Sequence, residues 1–239
     1  MNEAIEPYIY KIENGEEVAY PNPEYDNYLR SKKYEYFLKR SGIPNFYWNI
    51  EFDDYVGNKE SNAFKTIKNY AENIRDEKYN HTGLYLYGNS GTQKTCLSCN
   101  ILKSAMRQGL RTKFILAGHL ISKLMKIQSY SVDEEIQKEI SDFKMMDVIC
   151  IDDCFDPAKS LLWKGESKNL IISEWDCFLR DLLGNGVKVI MTSNFSPEIV
   201  KQSYGDFLYD LIDRNIQAIE LNDSVKEVRK LQVNLAFGE

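Results

Sequence analysis

Eight consecutive residues, Gly88-Asn89-Ser90-Gly91-Thr92-Gln93-Lys94-Thr95, combine glycines, a lysine and a hydroxyl in the order that grips phosphate. An apolar run, Leu84 to Tyr87, delivers the chain to this turn, and a helix-like run begins near Lys94. Backbone N–H groups of the turn and the helix N-terminus then converge on an anion, Lys94 reaches the β/γ-phosphates, and the Thr95 hydroxyl takes a magnesium ion. The pattern G-x-x-x-x-G-K-[ST] places glycine immediately before the lysine, and Gln93 stands there instead. A side chain at that position either forces a left-handed backbone, costing about 1–2 kcal/mol, or reshapes the loop. Two further apolar runs end in suitable groups. Asp152 can hold a water of a magnesium shell, and Asp153 can orient or deprotonate an attacking water. Thr192-Ser193-Asn194 offers an amide that can position the same water. A lone Asp-Asp after a strand is most often a cap or a turn; three such ends in one chain order argue for a site.

These groups need a frame that gathers strand ends on one side, because ligands of open parallel sheets sit at the carboxyl ends of the strands. The sequence supplies alternating strand and helix signals from Leu84 onward. Strands are predicted at 84–87, 113–117, 147–151, 188–192 and 216–221. Helices are predicted at 94–106, closed by Gly109, then at 119–127, 132–145, 169–183 and 207–214, with a short one opened by Ser196-Pro197. A capping box of Ser131 and Glu134 opens the 132–145 helix. The expected fold is α/β, a parallel five-stranded sheet with helices on both faces. Before it, residues 1 to about 24 carry Pro7, Pro21 and Pro23 and read as an irregular or strand-like arm. Tyr28, Leu29, Lys32, Lys33, Tyr36, Phe37 and Arg40 then fall at helical spacings until Ser41-Gly42-Ile43-Pro44. An aromatic loop to Tyr55 and an amphipathic helix at 62–74 lead to the first strand.

Composition narrows the class. The chain has 239 residues, is 43% hydrophobic and bears a formal net charge of −6. That is ample for a buried core, and the acidic balance argues against bulk electrostatic binding of nucleic acid, so any DNA contact must come from a local patch. No apolar run reaches the length of a membrane span, and the acidic start Met-Asn-Glu-Ala-Ile-Glu-Pro is unlike a signal peptide, so a soluble cytoplasmic protein is expected. The five cysteines, mostly within core elements, suggest reduced thiols. Cys96 and Cys99 lie on one helical face with no second pair, which weighs against zinc.

The order of phosphate loop, Asp-Asp strand, Ser-Asn strand and late arginine resembles the AAA+ ATPases. In detail it is similar to the DnaC/DnaI-type bacterial and phage helicase loaders and their IstB-type transposition relatives. The resemblance covers about residues 35 to 235 and includes Arg40-Ser41-Gly42-Ile43-Pro44, Phe52-Asp53-Asp54-Tyr55, Ile151-Asp152-Asp153 and Thr192-Ser193-Asn194. It implies an ATPase with ATP and Mg²⁺ as cofactors. Gly88 to Thr95 would be Walker A, Asp152 and Asp153 Walker B, and Asn194 the sensor-1 residue. Arg214 would be an arginine finger reaching a neighbouring subunit's nucleotide, and Arg229 a looser match to the sensor-2 arginine. A solvated helix-end cation is the alternative for Arg214. As in that family, no full helical lid is expected after Arg214.

The same resemblance places a single-stranded DNA contact in the helix pair between the second and third strands, where Lys123, Lys126, Ser129 and Tyr130 cluster; an ordinary solvated helix surface remains open there. Residues 1–44 are expected to form a partner-binding extension and 45–239 the ATPase domain. The implied partners are a replicative DNA helicase, single-stranded DNA bound weakly, and further copies of the chain in an ATP-bridged oligomer, with no membrane. An IstB-type transposition ATPase and an ATP-binding adaptor with negligible turnover are the alternatives. The stretch Phe155 to Ser167 is longer than expected after the Asp-Asp strand and has no assigned role.

Overall fold

The computed structural model of the chain describes residues 5–14, 16–127, 133–157 and 166–222. The proline-bearing arm is a hairpin: β1 (Tyr8–Glu13) pairs antiparallel with β2 (Glu16–Pro21), Tyr8 opposite Pro21 and Glu13 opposite Glu16. Nearly every hairpin residue is exposed, which is why no period-two burial pattern marks it in the sequence. Helix α1 (Tyr25–Arg40) follows and buries only Leu38. At its end Gly42 takes φ +81°, and a Cβ there would meet the Phe114 carbonyl oxygen at 2.5 Å. That close approach lets Ser41 accept a 2.6 Å hydrogen bond from the Phe114 N–H. Leu38 and Ile43 are buried in the same core as Leu84 and Leu86, so the chain around them is built into the body that contains the sheet.

The remaining elements are α2 (Asn62–Glu72), β3 (Gly83–Tyr87), α3 (Lys94–Arg107), β4 (Thr112–Leu116), α4 (Ala117–Ile127) and α5 (Glu134–Phe143). After these come β5 (Val148–Asp152), α6 (Glu166–Gly184), β6 (Lys188–Ser193), α7 (Pro197–Tyr204), α8 (Asp206–Asn215) and β7 (Ile216–Glu220). The sheet order is β4-β5-β6-β3-β7, all parallel. Its central strands β3, β5 and β6 are buried on both faces, as apolar runs without polar alternation require, while edge strand β7 is exposed at Gln217, Ala218 and Glu220. Successive side chains feed opposite cores. Leu84 and Leu86 join α2 and α3 on one face, while Tyr85 joins α4 to α8 on the other. Lys103, with its side chain fully buried, crosses the first core and donates to the carbonyls of Tyr47, Trp48 and Ile50, fixing the aromatic loop on α3.

The structure differs from expectation at α5. Asp133 caps it, its carboxylate accepting from Glu135 N–H at 3.1 Å and Ile136 N–H at 3.3 Å. Ser131, expected as the cap, lies outside the described residues. Most of the unassigned stretch after the Asp-Asp strand lies outside them too, and α6 begins earlier than expected, at Glu166. Among the described residues no helix is long and apolar enough to cross a membrane.

Candidate nucleotide site

The register of the central strands creates the site. Tyr87 is level with Ser193, and Ile151 with Met191, so β5, β6 and β3 end side by side. Gly88 leaves β3 at φ +143°, beneath the chain that follows β7; a Cβ would stand 2.2 Å from the Leu221 carbonyl oxygen. Leu221 N–H donates to the Tyr87 carbonyl at 2.7 Å, closing the base of the loop. Glycine is the residue that fits this crossing. Thr92 Oγ1 donates to the Asn89 carbonyl at 3.0 Å, and Gly91 turns the chain at φ +94°. Gln93 adopts the left-handed conformation, φ 61° and ψ 25°, and its carbonyl accepts from Leu97 N–H at 2.9 Å to open α3. Its side-chain Oε1 accepts from Val56 N–H at 3.3 Å.

Lys94 is buried at the first position of α3. Its Nζ donates to the Gly88 and Asn89 carbonyls at 2.8 Å each, and to Thr92 Oγ1 at 3.3 Å. Burial pushes this ammonium down to about 8, against the pull of the Asp152 and Asp153 carboxylates. One residue on, Thr95 Oγ1 donates to Asp152 Oδ1 at 2.9 Å, joining the loop to β5. Asp152 is buried, and Thr192 Oγ1 donates to its Oδ1 at 2.6 Å. Burial raises the Asp152 pKa, and the hydrogen bonds from Thr192 and Thr95 oppose it.

Asp153 departs from the strand in the left-handed region, φ 59°, with its N–H donating to Thr192 Oγ1 at 3.0 Å. Asp153 and Asn194 are both exposed, on the turns leaving adjacent strands. In the sequence Thr192 reads only as the approach to Asn194. Its bridge between the Asp152 carboxylate and the Asp153 amide depends on strand register, which no local signal carries.

Lys94, Thr95, Asp152 and Asp153 are therefore brought together from one loop and one strand end. The buried carboxylate flanked by two hydroxyls is a hard oxygen donor set of the kind magnesium takes. Arg214 stands in the last turn of α8, with its side chain 77% exposed and 4.0 Å from Asp210. It faces outward on the surface of its own chain. Arg229 lies outside the described residues, as do Ser129 and Tyr130. Lys123 pairs with Glu139 between α4 and α5. With Lys126, Lys113, His119 and Ser122 it lines a cleft of about 530 Å³ beside the edge strand β4.

A parallel sheet in this order, with a phosphate loop after β3 and an aspartate pair after β5, is the AAA+ form of the α/β nucleotide-binding fold. Residues 48–208 match the bacterial DnaA ATPase domain, and the chain belongs to that family. Among solved structures it is similar to the DnaC helicase loader, with 19% identity and a TM-score of 0.60 over 75% of this chain and 100% of that one. Domain III of the Thermotoga maritima replication initiation protein DnaA matches with 20% identity and a TM-score of 0.61, over 82% of this chain and 77% of that one. A replication initiator DnaA bound to AMPPCP and single-stranded DNA matches with 18% identity and a TM-score of 0.59. There 82% of this chain spans 56% of that one. No curated protein matches the chain.

Proposed function

We propose that this protein is a replication ATPase that places a replicative helicase on single-stranded DNA, with slow turnover, acting as an ATP-bridged oligomer. One observation carries the ATP reading: Lys94, Thr95 and Asp152 converge at adjacent strand ends, with Thr95 bonded to Asp152 at 2.9 Å. The loader reading draws its support from likeness along the whole of a DnaC loader chain. In this reading Lys94 exchanges its loop carbonyls for the β/γ-phosphates, and Gly88 to Thr95 supply backbone donors. Thr95 and Asp152 would hold magnesium, which when bound neutralises charge on the phosphate oxygens. Asp153 takes the proton of the attacking water, and Asn194 orients that water. Asp153 is one methylene shorter than glutamate, which slows the step. Arg214 acts on the nucleotide of a neighbouring copy, which its outward position permits. Arg229 is assigned to the same nucleotide from the C-terminal stretch.

Residues 1–44 are assigned to the helicase and 45–239 to the ATPase domain. The separable part of the extension ends before Leu38, which is packed in the core. Single-stranded DNA is assigned to the α4–α5 side through Lys123, Lys126, Ser129 and Tyr130. The contact is weak, because few cations act against a net charge of −6. The test is titration with single-stranded and duplex DNA across a salt series. Single strands should bind better, with a log-affinity against log-salt slope of about −2 to −3, and Lys123→Glu with Lys126→Glu should abolish binding. A preference for duplex moves the protein to the IstB-type reading, and intact binding in the charge-reversed protein removes this helix pair.

A further inference from the structure

The turn that carries Asp153 is strained on both sides and clamped from behind. Asp153 and Phe155 both sit in the left-handed region, at φ 59° and 58°, without being glycine. Phe155 is buried, its ring centroid 5.3 Å from that of Tyr204, 5.4 Å from Trp175 and 6.2 Å from Tyr85. The same aromatic groups tie this turn to the one that carries Asn194. Tyr204 Oη donates to the Asp156 carbonyl at 2.9 Å, and Tyr85 Oη donates to the Phe195 carbonyl at 2.8 Å. Between the two turns, Cys154 N–H donates to the Thr192 carbonyl at 2.8 Å, and Ser193 Oγ donates to the Cys154 carbonyl at 2.8 Å. Ser193 Oγ also accepts from Phe195 N–H at 3.1 Å. Every backbone residue from 153 to 156 is thus held by a hydrogen bond or a buried ring.

We propose that Phe155 and Tyr204 are positioning residues for hydrolysis: the aromatic box holds Asp153 and Asn194 as one rigid unit, so that the water they share keeps a fixed line to the phosphate. The proposal rests on the ATPase reading above. It gives the left-handed strain a use, since an unclamped turn would relax and swing the carboxylate away. Tyr204 also lies in the same buried cluster as Leu208, Leu211 and Ile212 of α8, the helix that bears Arg214. A shift of that helix on subunit contact would therefore reach the Asp153 turn through Tyr204.

Tyr204→Phe removes one hydroxyl and keeps the ring, so it should lower kcat about fivefold, as for one hydrogen bond lost. Phe155→Leu should lower it by about tenfold or more, because small misplacements of a reacting group are costly. Mg-ATP affinity should stay within about twofold in both, since neither residue touches the phosphate loop. Amide hydrogen exchange supplies a readout independent of turnover: in Phe155→Leu the Cys154 and Phe195 amides should lose protection together. Parental kcat in both variants overturns the proposal. So does a parallel fall of affinity, kcat and melting temperature, which would mark a merely structural role. If the parent binds ATP without turnover, the ATPase reading fails, and independent exchange of the two amides would then overturn the rigid unit as well.

Discussion

Gln93 shows how one residue can break a motif and leave its chemistry in place. Its left-handed backbone costs about 1–2 kcal/mol, while each charged hydrogen bond to phosphate contributes about 1.5–3 kcal/mol, and those donors are intact. The side chain regains part of the strain through its bond to Val56. Gln93→Gly should accordingly bind Mg-ATP between equally well and about tenfold more tightly than the parent, and Lys94→Ala should lose binding; nucleotide titration decides. A parent that binds nothing while Gln93→Gly binds would make the natural protein an adaptor without turnover.

Lys94 also sets a pH dependence. Its pKa is held near 8 rather than the ordinary 10.5, so the folded free protein gives up this proton as pH rises through about 8. Bound phosphates favour the charged form, and affinity should fall above pH 8 by up to about tenfold per unit. Stability should move the opposite way. Burying the charge opposes folding fully below the folded pKa, and that opposition fades between about 8 and 10.5. Titration calorimetry in buffers of different ionisation heat, showing proton uptake on binding at pH 8.5 to 9, would check the assignment. At this scale the lysine and threonine were legible because their spacing within one loop is local, and the first aspartate because it ends an apolar run. The Thr192 bridge and the Gln93–Val56 bond were not, because each joins segments that only the fold brings together.

At the scale of elements, the central strands β3, β5 and β6 were readable because strands covered on both faces leave apolar runs, and α3 and α7 because a glycine-rich turn and Ser196-Pro197 mark their starts. The hairpin was harder to read. Tyr8, Tyr10 and Ile12 point to solvent at 50%, 60% and 80% exposure, so no burial alternation distinguishes a strand from an irregular arm. A two-stranded hairpin standing alone is marginal in water, and this one carries an apolar face with little covering it. It therefore suits contact with a partner. Removing residues 1–24 should leave Mg-ATP affinity and the melting temperature close to parental while abolishing helicase binding. Removing residues 1–44 should also destabilise the domain by several kcal/mol. Leu38 and Ile43 leave the core with it, at about 2–5 kcal/mol for each large buried side chain. Thermal melts and nucleotide titration of the two truncations separate these effects. Equal melting temperatures would put the whole extension outside the core.

For the molecule as a whole, the decisive feature is that Arg214 and the phosphate loop lie at opposite ends of the same pair of strands. Arg214 is exposed two residues before Ile216, which pairs with Gly83 at the start of β3, whereas the loop leaves β3 after Tyr87, opposite Glu220. A finger that works across a subunit boundary predicts that Arg214→Ala binds Mg-ATP normally and loses hydrolysis by about 10³ in the assembled state. Mixing it with Lys94→Ala should restore part of the activity, because each then supplies what the other lacks. Parental turnover of Arg214→Ala under assembling conditions would return this arginine to the role of a helix-end cation.

The most direct measurement is co-isolation of the full-length protein with the replicative helicase of its own cell, with ATP, with ADP and without nucleotide, beside the Lys94→Ala protein. The account predicts retention of helicase on the parent that is strongest with ATP, together with transfer of helicase to added single-stranded DNA, and neither effect for Lys94→Ala. Equal retention under all nucleotide conditions and by Lys94→Ala, or no retention at all, would contradict it.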